Sequence, residues 1–151
     1  MVDCANIERS MKKLSKTKID YAKLLQLVQS EATAVRAFAY TAQDDYNVGN
    51  LRQLGYTVIT KPKVQQSDHR EKCNVDLEIA FKIIELTFKR AYDTLVLASG
   101  DSDFMVAVNL IHRARLRVEL LSHSEDTSPQ LIQLADRYLD LRQLEAKLAE
   151  T

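Results

Sequence analysis

Four aspartates are the residues in this chain best placed to do chemistry. Asp3 stands near the start, Asp76 opens a long apolar segment, and Asp101 and Asp103 lie in Ser99-Gly100-Asp101-Ser102-Asp103-Phe104. Carboxylates that converge at close range repel one another unless a cation neutralises them. Hard oxygen ligands of this kind select magnesium or manganese. Each residue also has a plainer reading. Asp101, Ser102 and Asp103 can cap the helix that follows, Asp76 can complement a helix dipole, and Asp3 can be a solvated terminal residue. The joint pattern favours metal: all four fall where an α/β sheet presents its functional end.

The expected elements follow from periodicity. Residues 7–14 and 21–30 read as helices, with Asp20 as N-cap of the second, and 35–40 alternates like a strand. A helix over 46–54 is followed by Gly55, where a left-handed cap is wanted, and by a strand over 56–60. Residues 61–74 are polar and read as a loop. The helix over 75–91 carries Glu78, Lys82, Glu85 and Lys89 as one wet stripe on a mostly buried cylinder. Thr94–Ala98 is a continuous apolar run, suited to a parallel strand covered on both faces and expected beside strand one. A helix around 104–111, a strand over 118–121, a helix from Pro129 to about Ala135, an edge strand over 138–141 and a last helix over 142–150 complete the pattern. Alternating strands and helices predict an α/β three-layer sandwich around a central parallel sheet. In such sheets ligands bind beyond the carboxyl ends of the strands, at the topological switch point.

These residues resemble a known family. Asp3-Cys4-Ala5-Asn6 is similar to the D-x-x-N element of the NYN (LabA-like) domains of the PIN-like nuclease superfamily. Lys72-Cys73-Asn74-Val75-Asp76 resembles their K-x-x-V-D turn, and Ser99-Gly100-Asp101-Ser102-Asp103-Phe104 matches their most specific signature. Leu134-Ala135-Asp136 with Leu139-Asp140-Leu141 is similar to the closing element. The resemblance implies a PIN-like fold, a divalent metal (Mg2+ or Mn2+) and RNA phosphodiester cleavage. Asp3, Asp76, Asp101 and Asp103 would form the acidic, metal-holding and catalytic quartet, with Asn6 and Ser99 as supporting polar residues. Residues 1–141 are expected as the NYN/PIN-like domain and 142–151 as a C-terminal helical extension. Three departures stand out: only Met1 and Val2 precede Asp3, so strand one is expected as a stub that could loosen it, Asn74 stands where a Gly is common, and Arg115 replaces the usual Gly before the last main strand.

Among the remaining candidates, Lys61, Lys63, Arg70 and Lys72 crowd the segment leading to Asp76. Arg70 and Lys72 are the expected phosphate contacts, against a solvated loop as the plain reading. Lys12, Lys13, Lys16 and Lys18 make a second basic cluster, read as a wet helix end. Tyr46 and Tyr92 read as partial core rather than base-stacking rings. His69, His112 and His123 read as isolated surface residues. Leu141, Leu144 and Leu148 stripe the last helix, which could pair with a second copy in a homodimer but is expected to pack on the domain.

The 151 residues suffice for one domain. No apolar run approaches the ~20 residues of a membrane span. No secretory signal is visible, and Cys4 and Cys73 are too few for a disulfide scaffold, so a cytoplasmic setting is expected. The 21 basic and 21 acidic residues cancel, which disfavours a passive nucleic-acid coat and leaves an enzyme with a local basic patch open. Three functions compete. A metal-dependent ribonuclease, a probable endoribonuclease, leads. A non-catalytic RNA-binding or regulatory module is the alternative. A haloacid-dehalogenase-like phosphatase is the weakest, because Ala5 occupies the second position of its D-x-D pair.

Overall fold

The computed structural model describes residues 1–65 and 71–150. The chain opens with β1 (Val2–Asp3) and α1 (Cys4–Ser10), which continues as a π-helical segment, Met11–Ser15, and is followed by α2 (Tyr21–Gln29). β2 (Phe38–Ala42), α3 (Val48–Gln53) and β3 (Thr57–Lys61) come next. A small antiparallel pair, β4 (Val64–Gln65) and β5 (Glu71–Lys72), leads into α4 (Asp76–Phe88). β6 (Thr94–Ala98), α5 (Met105–Arg113), β7 (Arg117–Ser122), α6 (Pro129–Leu134), β8 (Arg137–Asp140) and α7 (Leu141–Leu148) complete the fold.

The main sheet has six parallel strands in the order β3-β2-β1-β6-β7-β8. From β1 the chain winds outward through β2 and β3, then returns to the other side of β1 and winds outward again. The boundary between β1 and β6 is therefore the topological switch point. β6 lies beside strand one, as its unbroken apolar run predicted, with Val2 opposite Ala98.

Helices cover both faces. On one, Ile79, Ile83, Phe104, Val108, Ile111 and Leu131 pack on Tyr40, Leu95, Leu97 and Leu120. On the other, Ile7, Met11, Leu24, Leu51 and Leu148 pack on Val2, Ala39, Ala98 and Leu121. Leu97 and Ala98 fall in different clusters because successive strand residues point to opposite faces. The result is the expected three-layer α/β sandwich. α7 packs back on the domain: Leu141 and Leu148 are buried, the Asp20 amide donates to the Leu148 carbonyl at 2.7 Å, and Lys23 Nζ donates to the Ala149 carbonyl at 2.8 Å. Among the described residues, no helix is long and apolar enough to cross a membrane.

Several expectations need correction. The first helix begins at Cys4 rather than residue 7, because Asp3 leaves the strand and caps it directly. The strand expected over 35–40 runs Phe38–Ala42, in register with Thr57–Lys61. The segment read as a loop over 61–74 carries β4 and β5. The long helix stops at Phe88, where Lys89 caps it and Arg90 turns left-handed at φ 48°. Nor is that helix a buried cylinder. Ile79, Ile83 and Thr87 face the core, while Leu77, Phe81 and Phe88 are 76%, 69% and 76% exposed. α4 has apolar residues on two faces, and the sheet covers one.

Candidate metal centre

Asp3 ends β1 and caps α1 with the same side chain, so the chain turns from strand to helix on this carboxylate. Its Oδ1 accepts from the Asn6 amide at 3.1 Å and its Oδ2 from Ser99 Oγ at 3.2 Å. Asn6 Oδ1 in turn accepts from the Gly100 amide at 3.0 Å. The Asp101 amide donates to Ser99 Oγ at 3.3 Å, and the Asp103 amide donates to Asp101 Oδ1 at 2.9 Å. One hydrogen-bonded chain thus stitches the D-x-x-N turn after β1 to the S-G-D-S-D turn after β6, across the switch point. Asn6 and Ser99, expected as supporting residues, are its links. The two-residue β1 does not loosen Asp3, which is 4% exposed and held from both sides.

Gly100 sits where the second turn meets the loop after β7. A Cβ there would lie 2.6 Å from Thr127 Oγ1 and 2.9 Å from the Asp126 carbonyl oxygen. Thr127 Oγ1 is fixed by bonds to Ser122 Oγ at 2.8 Å and to the His123 carbonyl at 2.7 Å. Glycine is required by close approach.

Asp76, the first residue of α4, reaches the same place from the opposite layer, its amide donating to Asn74 Oδ1 at 2.9 Å. Carboxylate oxygens of Asp76, Asp101 and Asp103 all lie within 4.8 Å of one another. Asp3 stands outside that trio but feels it. Burial pushes its carboxyl up to about 6, with Asp76 and Asp101 adding repulsion and the Asn6 amide and Ser99 hydroxyl pulling back. Three partly or fully exposed carboxylates in mutual reach, backed by a buried fourth, form an all-oxygen donor set that suits a hard divalent cation. A cavity of about 620 Å³ opens at the other, amino end of the sheet, lined in part by Leu24, Val28, Tyr92 and Arg137, and none of the four aspartates reaches it.

The basic candidates are less concentrated. Lys61 pairs with Glu78 at 2.7 Å and Lys63 with Asp44 at 2.9 Å. Lys72 lies in β5, opposite Val64. Arg70 and His69 lie outside the described residues. Two histidines depart from expectation. His123 is buried, its Nδ1 accepting from the Glu125 amide at 3.3 Å, and His112 pairs with Asp136 at 3.0 Å. Tyr46 is 77% exposed rather than partial core, with Lys18 Nζ 5.9 Å from its ring centre. Sequence reading missed Ser10 and Asp126, which bond at 2.7 Å beside Gly100, with Lys13 pairing Asp126 at 3.5 Å. They are 116 residues apart, and no spacing signals such a pair.

The NYN domain family model matches residues 1–143. This chain belongs to the NYN domain family. It is 30% identical over 132 residues to the low amplitude and bright protein LabA of Synechococcus elongatus, covering 80% of this chain and 70% of that one. A Vibrio parahaemolyticus protein of unknown function, VPA0982, has a similar crystal structure: TM-score 0.80, 29% identity, 93% of this chain and 89% of the other. The NYN match and the parallel sheet together make this a PIN-like α/β fold, of a nuclease family, with an acidic group able to hold a metal.

Proposed function

We propose that this NYN domain is a Mg2+- or Mn2+-dependent ribonuclease, an endoribonuclease that hydrolyses RNA phosphodiester bonds at the crevice formed by Asp3, Asp76, Asp101 and Asp103. The observation that carries the reading is the convergence of Asp76, Asp101 and Asp103 within 4.8 Å at the switch point of a parallel sheet. A divalent ion held by Asp76, Asp101 and Asp103 would supply an activated water for attack on phosphorus and offset charge on the leaving oxygen. The chain's own residues prepare the site. Asp101 and Asp103 project from a turn pinned by Ser99 and Asn6, and Asp76 is offered by α4. Asp3, locked by two hydrogen bonds, fixes the floor and adds negative charge. Arg70 and Lys72, on the approach to Asp76, hold the phosphates of the entering strand.

The test is turnover of a labelled RNA with manganese, wild type against Asp101→Asn. Asn preserves size and turn-capping capacity but removes one anionic ligand. Cleavage and metal affinity should both fall, cleavage by about 10²-fold or more. Wild-type rates in the variant would end the catalytic reading, and RNA binding without turnover in the wild type would establish the regulatory-module alternative.

A further inference from the structure

The basic run after Asp3 has no part in the chemistry proposed above. Residues 9–18 carry five cations, Arg9, Lys12, Lys13, Lys16 and Lys18, and no acid, in a chain whose charges cancel. Arg9, Lys12, Lys13 and Lys16 have the spacing of one side of a helix, and all four are exposed. Ile7 and Met11 hold the other side in the core. Ala5, four residues before Arg9 and likewise exposed, carries the same stripe back to the start of α1 beside Asp3, with only a methyl group in the way.

This strip is moored beside the acids. Ser10 Oγ donates to Asp126 Oδ2 at 2.7 Å, and Lys13 Nζ donates to Asp126 Oδ1 at 3.5 Å. The Asp126 main chain closes on Gly100, the residue before Asp101. The Ser10 hydroxyl holds the Asp126 carboxyl below its usual range, and the charges of Lys13 and Arg9 add to the effect, so both cations face the loop that supports the acidic turn. Among the described residues, Arg9, Lys12, Lys16 and Lys18 have no carboxylate partner, and Lys13 has Asp126.

At its far end the run meets an aromatic ring. Lys18 Nζ lies 5.9 Å from the ring centre of Tyr46, which is 77% exposed. Tyr46 stands in the turn after β2, the strand paired with β1. Asp45 Oδ1 accepts from the Asn47 amide at 2.8 Å, and Asn47 Nδ2 donates to Glu8 Oε1 at 3.1 Å, so the turn is tied to α1. The acids flanking the ring are already engaged, Asp44 by Lys63 and Asp45 by Thr41.

Unpartnered cations in a row take up phosphates, and a fixed, exposed ring beside them takes a base that is free of a duplex. We propose that α1 and the π-helical segment are the entry track for single-stranded RNA, with Arg9, Lys12, Lys13 and Lys16 on its phosphates and Tyr46 stacked on a base. The proposal rests on the crevice being an RNA site, and it adds where the strand lies and that it is unpaired.

The test is fluorescence anisotropy of the full chain with a labelled oligouridylate of about 12 nucleotides, within the site sizes of such grooves, in chelator so that cleavage does not intrude. The wild type should bind it about tenfold or more tightly than a duplex of equal length. Arg9→Gln with Lys12→Gln leaves the Lys13–Asp126 pair in place and should lower the slope of log affinity against log salt by about 1.4. Tyr46→Ala should weaken binding by about tenfold at unchanged slope, and Tyr46→Phe should restore it. All three positions are exposed, so the thermal midpoint should not move. No binding by the wild type, an unchanged slope in the double variant, wild-type affinity in Tyr46→Ala or equal affinity for the duplex would overturn the track. Manganese-dependent turnover is scored separately. Turnover with binding unchanged in the track variants overturns the track alone, and the expected binding losses without turnover overturn cleavage alone.

Discussion

Asp3 caps α1 through its Oδ1 while the same carboxylate faces Asp76 and Asp101. The first role stabilises the fold and the second opposes it. A carboxyl raised from 3.8 to about 6 binds its proton more tightly folded than unfolded. Stability from this group is therefore full below about pH 4 and is lost as pH rises through about 6. Asp3→Asn keeps the cap, since Asn and Asp cap about equally well, and removes the charge. In the presence of a chelator, urea unfolding should find the variant more stable near neutral pH, by on the order of 2–3 kcal/mol, and the advantage should vanish below about pH 4. An equal difference at both pH values would mean that packing, not charge, is what changes. That Asp76, Asp101 and Asp103 come together was legible in the sequence because one opens a helix and the other two follow the end of an apolar strand. The division of labour was not, since it depends on which carboxylate the sheet buries.

At the scale of elements, local chemistry was most legible where a cap residue marks the boundary. Asp20 caps α2, accepting from the Ala22 and Lys23 amides at 2.9 and 3.1 Å, and Gly55 takes φ 97° after α3, both as the sequence indicated. Asp20→Ala should cost about 0.5–2 kcal/mol of stability and Asp20→Asn little, a contrast readable from urea midpoints; equal losses would assign the effect to the 3.7 Å Lys23 pairing instead. What misled sequence reading was competition between faces. α4 is apolar on the side toward the core and on the side toward solvent, and periodicity alone cannot say which the sheet takes. Likewise β4 and β5 are too short and polar to show alternation, and His123 is buried by a turn whose partners are not its neighbours on any helix or strand.

For the whole molecule, order of strands and balance of charge decide how substrate is met. The winding from β1 in two directions, foreshadowed by the alternation of strands and helices and by the apolar run of β6, brings the segments after β1 and β6 together over one crevice. Their acids share it although nearly a hundred residues separate them. The chain as a whole has no net charge, so long-range attraction for the RNA proposed as substrate is weak and its affinity would rest on a few local cations. Among the described cations, Lys61 and Lys63 are engaged by Glu78 and Asp44, each pair holding its carboxyl below the usual range, and Lys13 pairs with Asp126. Arg70 and Lys72 are the phosphate contacts of the proposed function, and their part in the salt response can be measured. If each contacts one phosphate of a single strand, replacing both with Ala should reduce the slope of log affinity against log salt by about 1.4. Affinity should fall for every sequence alike, because phosphate contacts carry no base information. Fluorescence anisotropy over a salt series measures both quantities with metal withheld, so that cleavage does not intrude. A slope unchanged in the double variant would rule out phosphate contact by Arg70 and Lys72.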